Sequence, residues 1–174
     1  MRILAIISLI SCFINASCIK PANSTYISKV IDGDTFQDNE NIRYRLLGVD
    51  TPESFDSANH FAETIGIQKF YANKATNLST NQILHKNVLM KKWKLDTYKR
   101  MITRINYESK ELAEQLLSQG LARVKYISPI PKNFFYYPDI DYYYQLLEIE
   151  KYAKVNKVGI WKLSPNEQKM VFPK

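Results

Sequence analysis

The order of strand-like and helix-like segments is the feature that most limits what this chain can fold into. Runs of β-branched and aromatic residues between turn residues indicate strands, and apolar residues at three- and four-residue spacing indicate helices. The strand-like segments are 26–36, 41–49, 88–93, 101–105 and 121–126, and the helix-like segments are 63–78, 109–119 and 139–156. Strands that dominate the first half, with helices inserted, favour a small barrel over the regular alternation of a parallel sheet. We therefore predict a mainly β fold, a five-stranded OB-type barrel with about three attached α-helices.

Four residues mark expected helix ends. We expect Ser109 to cap the second helix, with Glu111 close to the positive end of its dipole. Gly120 is predicted to end this helix at the C′ position, where a positive φ favours glycine. Asp139 is the expected N-cap of the last helix.

Length and charge narrow the class of protein. A chain of 174 residues is long enough for one compact domain and short for two. Apolar residues make up 45% of it and aromatic residues 13%, which excludes wholesale disorder. The formal net charge of +7 gives a basic surface that attracts polyanions such as nucleic acid or an anionic membrane. Charge alone does not choose between these partners.

The first 18 residues have the order of a secretory signal peptide. Arg2 precedes an apolar run at 3–10, and small residues follow at Ala16 and Ser17. The run is too short for a membrane-spanning helix, which needs about 20 residues. We divide the chain into a leader at 1–18, a polar linker at 19–25 and a domain at 26–174, and we expect export.

Both cysteines of the chain, Cys12 and Cys18, lie inside this leader, so the domain cannot rely on disulfide bonds. The small residues before Cys18 resemble a lipoprotein processing site, whereas Asn15 stands where that pattern prefers an aliphatic residue. Membrane attachment through a lipidated Cys18 and free secretion therefore both remain open, with an uncleaved anchor as a third alternative.

Clustered carboxylates are the main chemical signal of the domain. Asp32-Gly33-Asp34-Thr35 places two of them around a glycine, and Asp50-Thr51-Pro52-Glu53 places two more after the next strand. Hard oxygen ligands favour a hard cation such as calcium, and the two histidines, His60 and His85, provide no zinc-like set. Each motif by itself is equally typical of an ordinary acidic turn.

The combination of motifs is more specific than either acidic turn. In chain order they are Ile31-Asp32-Gly33-Asp34-Thr35, the run from Tyr44-Arg45-Leu46 through Asp50-Thr51-Pro52-Glu53, Tyr98-Lys99-Arg100, Gln119-Gly120-Leu121-Ala122 and Gly159-Ile160-Trp161. This arrangement resembles the thermonuclease (staphylococcal nuclease-like) family over residues 26–161.

The resemblance implies a calcium site. Asp34 and Asp50 would be calcium ligands, and the backbone carbonyl of Thr51 would be a further ligand. Asp32 would lie beside the metal ion. Calcium is therefore the expected cofactor.

The resemblance also implies the catalytic and substrate-binding residues. Arg45 and Arg100 would bind the scissile phosphate, and Glu53 would orient or deprotonate the attacking water. Tyr98 and Tyr126 match the family's aromatic walls for the nucleotide.

Calcium-dependent hydrolysis of DNA and RNA at the 5′ side of the phosphodiester, leaving 3′-phosphate ends, is the implied reaction. Little sequence specificity is expected, because the site addresses phosphate and sugar, and a monomer is expected. The alternatives are a catalytically silent OB-fold module that binds nucleic acid or protein, and a surface adhesin with the barrel as scaffold. Retention of Arg45, Glu53 and Arg100 together favours the enzyme.

Three positions depart from the family pattern. Lys99 and Met101 flank Arg100 where the family often has glycine, which leaves the shape of this loop open. Ser128 occupies a position that often holds a second aromatic residue. The aromatic residues at 134–137 and 142–144 are interpreted mainly as core and helix-docking residues.

Overall fold

A computed structural model describes residues 24–54 and 65–173. The strands are β1 Ser24–Val30, β2 Thr35–Asp38, β3 Arg43–Leu46, β4 Val49–Asp50, β5 Asn87–Leu95, β6 Met101–Tyr107, β7 Lys110–Glu111 and β8 Arg123–Val124. The α-helices are α1 Gly66–Ile83, α2 Leu112–Ser118, α3 Ile140–Val155 and α4 Pro165–Val171, and a 3-10 helix spans Gly159–Lys162.

Five strands close into the predicted barrel. β1 pairs antiparallel with β2 and with β5, β2 pairs antiparallel with β3, and β5 pairs antiparallel with β6. The ring is closed by the parallel pairing of β3 with β6, in which Arg45 lies opposite Ile102. Closure leaves no free edge among these strands. The OB-type barrel is therefore confirmed.

Alternating side chains of the strands fill the barrel with apolar groups. Ile27, Phe36, Tyr44, Val88 and Ile105 are buried almost completely. Burial of such side chains is the dominant favourable contribution to folding. The interior of the barrel is therefore a packed apolar core.

A second, two-stranded sheet connects the start of the second acidic motif to a distant segment of the chain. β4 pairs antiparallel with β8, so that Val49 lies opposite Val124 and Asp50 lies opposite Arg123. Of the segment predicted as a strand at 121–126, only Arg123–Val124 forms regular strand pairing. This short pairing places Arg123 next to Asp50, the first residue of the second acidic motif.

The predicted helix ends are partly wrong. Ser109 does not cap α2, because it lies at φ 61° in the tight turn between β6 and β7, and the helix begins at Leu112. Glu111 is the N-cap residue of α2, at the end of the helix where it was expected. Its carboxylate accepts hydrogen bonds from Arg104 Nε, at 3.1 and 3.2 Å, and from Arg104 Nη2, at 2.7 Å. Gly120, at φ 60°, ends α2 as predicted. Pairing between strands therefore outweighed the local capping preference of serine.

Two helices extend beyond the expectation. α1 continues to Ile83 rather than ending near residue 78. α4 was not predicted, although Ser164 and Glu167 form a capping box at its start, with Pro165 as its first residue. The described part of the chain therefore has four α-helices rather than about three.

The predicted leader at 1–18 and most of the linker lie outside the described residues. β1 begins at Ser24, so Ser24 and Thr25 of the predicted linker belong to the barrel. Among the described residues, no helix is long and apolar enough to cross a membrane. Export and lipidation of Cys18 stay predictions.

Asp139 caps α3, as predicted. Its Oδ1 atom accepts a hydrogen bond from the backbone N–H of Tyr142 at 3.0 Å, and its Oδ2 atom accepts one from Arg104 Nη1 at 3.0 Å. The backbone bond from Tyr142, together with Lys91 and Arg104, lowers the pKa of Asp139. The charged form of this carboxyl is therefore favoured in the folded protein.

We expect Asp139→Ala to lower the free energy of unfolding by about 1 to 2 kcal/mol at neutral pH, because the helix loses its cap. Since the folded pKa is lowered, this contribution is present above the unfolded pKa of about 3.9 and disappears as pH falls through the folded value. Urea unfolding of both proteins at neutral and at strongly acidic pH measures it. A difference that stays constant with pH would contradict the role of the charge.

Candidate active site

The two acidic motifs meet around the side chain of Arg45. This residue lies in β3, between β2 and β6, and its side chain is buried. Its Nη1 atom donates to Asp34 Oδ1. Its Nη2 atom donates to Asp50 Oδ1 at 3.1 Å and to the carbonyl of Val49 at 3.4 Å. One guanidinium group therefore joins carboxylates from two separate motifs.

Thr51 fixes the other oxygen of Asp34. The Thr51 backbone N–H donates to Asp34 Oδ2 at 2.8 Å, and its hydroxyl donates to the same atom at 3.0 Å. Asp32 Oδ1 accepts from the Asp34 backbone N–H at 3.0 Å. Arg45 and Thr51, both of the second motif, therefore hold the two oxygens of the Asp34 carboxylate, and Asp32 holds the Asp34 backbone.

The turn before β2 requires glycine at position 33 because other groups approach it closely. A Cβ atom on Gly33 would lie 2.7 Å from the Cβ of Ala75 and 2.8 Å from Oγ1 of Thr51. The hydroxyl of Ser79 donates to the Gly33 carbonyl at 2.7 Å. Helix α1 thus packs directly against the turn that positions Asp34.

Burial sets the electrostatics of this centre. It raises the pKa of Asp34 to about 7, against the lowering effect of Arg45 and with further raising by Asp32 and Asp50. Arg45 is also desolvated, but the carboxylates of Asp34, Asp32 and Asp50 outweigh that effect and raise its pKa. Arg45 is therefore charged at every working pH.

Glu53 lies at the edge of the same centre. Together with Asp50, Thr51 and Tyr126 it lines a cavity of about 230 Å³. The residue is exposed, yet the partial desolvation of its carboxyl group and the charge of Asp34 raise its pKa. Its proton affinity is therefore higher than that of a free glutamate, which suits a group that positions or activates water.

Arg100 is held at the site by its own loop. Its Nε atom donates to Asp96 Oδ2 at 2.8 Å, and Asp96 Oδ1 accepts from the backbone N–H of Arg100 at 2.9 Å. Its Nη1 atom lies 3.5 Å from the hydroxyl of Thr35, the residue that follows Asp34. The preceding residue, Lys99, adopts φ 60°. The sequence left the shape of this loop open, and the structure places Lys99 in the left-handed region, which glycine adopts more readily than lysine.

Tyr98 and Tyr126 each lie beside one of the two arginines, and Tyr126 also lines the cavity with Glu53. The side chain of Tyr98 is 78% exposed, with the Arg100 Cζ atom 5.2 Å from its ring centre. Tyr126 is 42% exposed, with the Arg45 Cζ atom 5.9 Å from its ring centre. Each ring is therefore paired with one of the two arginines and keeps a surface open to solvent.

Two further cations, missed from the sequence, bind Asp50. Arg123 donates to Asp50 Oδ2 from Nε at 2.9 Å, and its Nη2 atom lies 2.8 Å from the same oxygen. The Nζ atom of Lys125 lies 3.6 Å from it. In the sequence, Arg123 and Lys125 lie two residues apart just after the block at 119–122 and next to Tyr126, and this spacing could have indicated them. Nothing comparable indicated that Phe172 would cover Arg123, whose Cζ atom lies 4.2 Å from the Phe172 ring centre.

A larger surface cavity, of about 640 Å³, lies elsewhere. It is lined by parts of α1, the end of α2 and the 3-10 helix, including Tyr71, Lys74 and Gly159. None of the described residues that line it carries a carboxylate. The smaller cavity at Asp50 and Glu53 is therefore the candidate active site.

The donor types at this site fit a hard cation. Among the described residues, no group of three or more His, Cys, Asp or Glu side chains is arranged to hold a metal ion. Within the described ranges, the nearest donors are the carboxylates of Asp34 and Asp50, with Thr51 beside them, and no histidine or cysteine lines the cavity. Carboxylate and carbonyl oxygens are the ligands that calcium prefers. Whether Asp34, Asp50 and Thr51 bind calcium stays a prediction.

Several known proteins are similar to this chain in sequence. The thermonuclease of Staphylococcus hyicus is 27% identical over 140 residues, which cover 78% of this chain and 73% of that protein. Endonuclease YncB of Bacillus subtilis is 31% identical over 143 residues, covering 79% of this chain and 61% of YncB. The uncharacterized protein MJ1439 of Methanocaldococcus jannaschii is 31% identical over 160 residues, covering 80% of this chain and 72% of that protein.

The family model described as "Staphylococcal nuclease homologue" matches residues 43–163. This range includes Arg45, Asp50, Glu53, Arg100 and Tyr126. It also includes the closing strands of the barrel, β3, β5 and β6. The chain belongs to the staphylococcal nuclease homologue family.

Proposed function

We propose that this protein is a calcium-dependent nuclease that hydrolyses DNA and RNA at the 5′ side of the phosphodiester and leaves 3′-phosphate ends. The main observation behind the proposal is that Arg45 donates hydrogen bonds to Asp34 of one acidic motif and to Asp50 of the other. Asp50 lines a cavity together with Glu53. The relatives named thermonuclease and endonuclease support the same class of reaction.

Arg45 and Arg100 would bind the phosphate. A phosphodiester attacked by water gains negative charge on its non-bridging oxygens, and guanidinium groups offer those oxygens paired, planar donors. Arg45 is preorganised by its buried hydrogen bonds, and Arg100 by Asp96. Preorganised donors stabilise the developing charge at little reorganisation cost.

Glu53 would orient the attacking water or take its proton. Its carboxyl lies at the cavity that Asp50 and Thr51 also line, and its pKa is raised. Asp34, Asp50 and the backbone carbonyl of Thr51 would hold calcium, with Asp32 nearby. A bound calcium ion supplies charge neutralisation at the phosphate.

Substrate selection would depend on the backbone of the nucleic acid. The cations at the site are guanidinium and ammonium groups that address phosphate, and the two exposed rings, Tyr98 and Tyr126, can stack on any base. Little sequence specificity follows from such contacts, and both DNA and RNA offer them.

One assay tests the proposal. We expect the protein to cleave single-stranded DNA and RNA with calcium ions and to lose this activity in a chelator. Products with 3′-phosphate ends should resist extension by a polymerase until a phosphatase removes the phosphate. Binding without cleavage would instead support the silent OB-fold module, and cleavage that survives the chelator would remove calcium from the proposal.

A further inference from the structure

A group of exposed aromatic side chains lies outside the proposed active site. Phe134 is 69% exposed and Phe135 is 40% exposed, and both belong to the loop between β8 and α3. The sequence predicted core packing for residues 134–137, which holds for Tyr137 but is wrong for these two phenylalanines. Exposed apolar patches of this kind often mark interaction sites.

These rings continue directly from the active site. The ring centre of Tyr126 lies 5.2 Å from that of Phe135, which lies 5.1 Å from that of Phe134. Because the Arg45 Cζ atom lies 5.9 Å from the Tyr126 ring, the row of rings begins at the proposed phosphate-binding group. We call Tyr126, Phe135 and Phe134 the aromatic ridge.

Lysines accompany both ends of the aromatic ridge. The Nζ atom of Lys125 lies 4.6 Å from the Tyr126 ring centre, and the Nζ atom of Lys94 lies 5.6 Å from the Phe134 ring centre. Lys91 and Lys92, on the same strand as Lys94, are exposed as well. The ridge therefore combines apolar rings with a lysine at each end.

Backbone hydrogen bonds hold the loop that presents these rings. The Ser128 N–H donates to the Phe135 carbonyl at 2.9 Å, and the Tyr137 N–H donates to the Ser128 carbonyl at 2.9 Å. Asn133 Oδ1 accepts from the Phe135 N–H at 2.8 Å, and Lys94 Nζ donates to the Phe134 carbonyl at 3.1 Å. The exposed rings are thus positioned before any ligand binds, which limits the entropic cost of binding.

We propose that the aromatic ridge binds additional nucleotides of a single-stranded substrate, beyond the nucleotide at the cleaved bond. Unpaired bases can stack on exposed rings, while lysines contact the phosphates between them. Duplex bases are already stacked on each other and cannot use the ridge in this way. The proposal rests on the proposed nuclease function and extends its site along the strand.

The test compares a trinucleotide with a twelve-nucleotide single strand of thymidines. The double variant Phe134→Ala/Phe135→Ala is expected to raise KM for the twelve-mer at least about ten-fold, because each lost base–ring stack weakens binding by about 1 to 3 kcal/mol. Cleavage of the trinucleotide, which reports on the fold and the active site, is expected to persist. Phe134→Ala alone, at the most exposed ring, should show the same direction with a smaller change.

Phe70→Ala is the matched control. Phe70 is 51% exposed on α1 and has a lysine against its ring, with Lys74 Nζ at 4.6 Å, so it repeats the ring-and-lysine pair outside the ridge. Its KM for both substrates should equal that of the unmodified protein.

Three results would overturn the proposed role of the aromatic ridge. They are a KM in the double variant that changes equally for the trinucleotide and the twelve-mer or not at all, an equal rise in KM with Phe70→Ala, and an equal rise in KM for duplex DNA. Fluorescence anisotropy with the twelve-mer in chelator measures binding without cleavage and should show the same loss in the double variant. If the unmodified protein cleaves neither oligonucleotide, the proposed nuclease function fails, whereas the anisotropy result still decides whether the ridge binds single strands.

Discussion

Replacing Arg45 by alanine is expected to reduce kcat/KM for single-stranded DNA by a factor of about 10³ to 10⁵, the range found for arginines that stabilise phosphoryl transfer. At about pH 8 the same variant should lose about 3 to 5 kcal/mol of unfolding free energy, as expected when a buried ion pair loses one partner. The physical reason is that Arg45 donates hydrogen bonds to both Asp34 and Asp50. Burial already raises the pKa of Asp34 to about 7 against the lowering effect of Arg45, so removal of Arg45 leaves this buried carboxylate without the cation that stabilises its charge. Urea unfolding in chelator and initial cleavage rates measure the two effects.

Two substitutions sharpen this result. Arg45→Lys keeps the charge, so it should recover part of the stability while activity stays low, because an ammonium group lacks the paired donors of a guanidinium. Arg43→Ala removes an exposed arginine from the same strand and should leave both quantities unchanged. Full activity in Arg45→Ala, or equal losses in Arg43→Ala, would contradict the role assigned to Arg45.

Glu53→Gln is expected to reduce kcat by about 10² to 10⁴ while the protein keeps its stability, which separates it from Arg45→Ala. The folded pKa of Glu53 is raised by desolvation and by the charges of Asp34 and Asp50. A raised pKa means that the ionised carboxylate is disfavoured by folding at neutral pH. The neutral amide removes that disadvantage, and because Glu53 is exposed, the gain in stability should be small.

Glu40→Gln is the control for this variant. Glu40 is an exposed carboxylate in the turn between β2 and β3, and its loss should change neither rate nor stability. The measurements are single-turnover cleavage with saturating enzyme and thermal unfolding in chelator. A Glu53→Gln variant that cleaves at the normal rate would show that water is positioned by another group.

Much of the scaffold could be predicted from local patterns. Four of the five strand-like segments contribute strands to the barrel, with 26–36 supplying both β1 and β2, whereas 121–126 pairs with β4 outside it. The caps at Gly120 and Asp139 are where their conformational and hydrogen-bonding preferences placed them. These features depend on neighbours a few residues apart, so sequence carries them directly. Ser109 was the exception, since the pairing of β6 with β7 places it in a turn.

The candidate site was predictable in its members but not in its contacts. The motifs identified Asp34, Arg45 and Asp50, and the structure brings the three into direct contact. Nothing in the local pattern showed that Arg123 would bind Asp50, because their 73-residue separation is closed only by the pairing of β4 with β8.

Sequence by itself therefore determined most of the strands that form the barrel, the helix ends at Gly120 and Asp139, and the residue types of the acidic and arginine motifs, because each depends on local periodicity or on short spacing. Tertiary structure alone decided which cations neutralise Asp50 and which aromatic residues remain exposed. Phe134 and Tyr137 have the same apolar character in sequence, yet one is 69% exposed and the other is 3% exposed. Burial depends on the long-range packing that closes around each side chain, and that packing is a property of the whole fold.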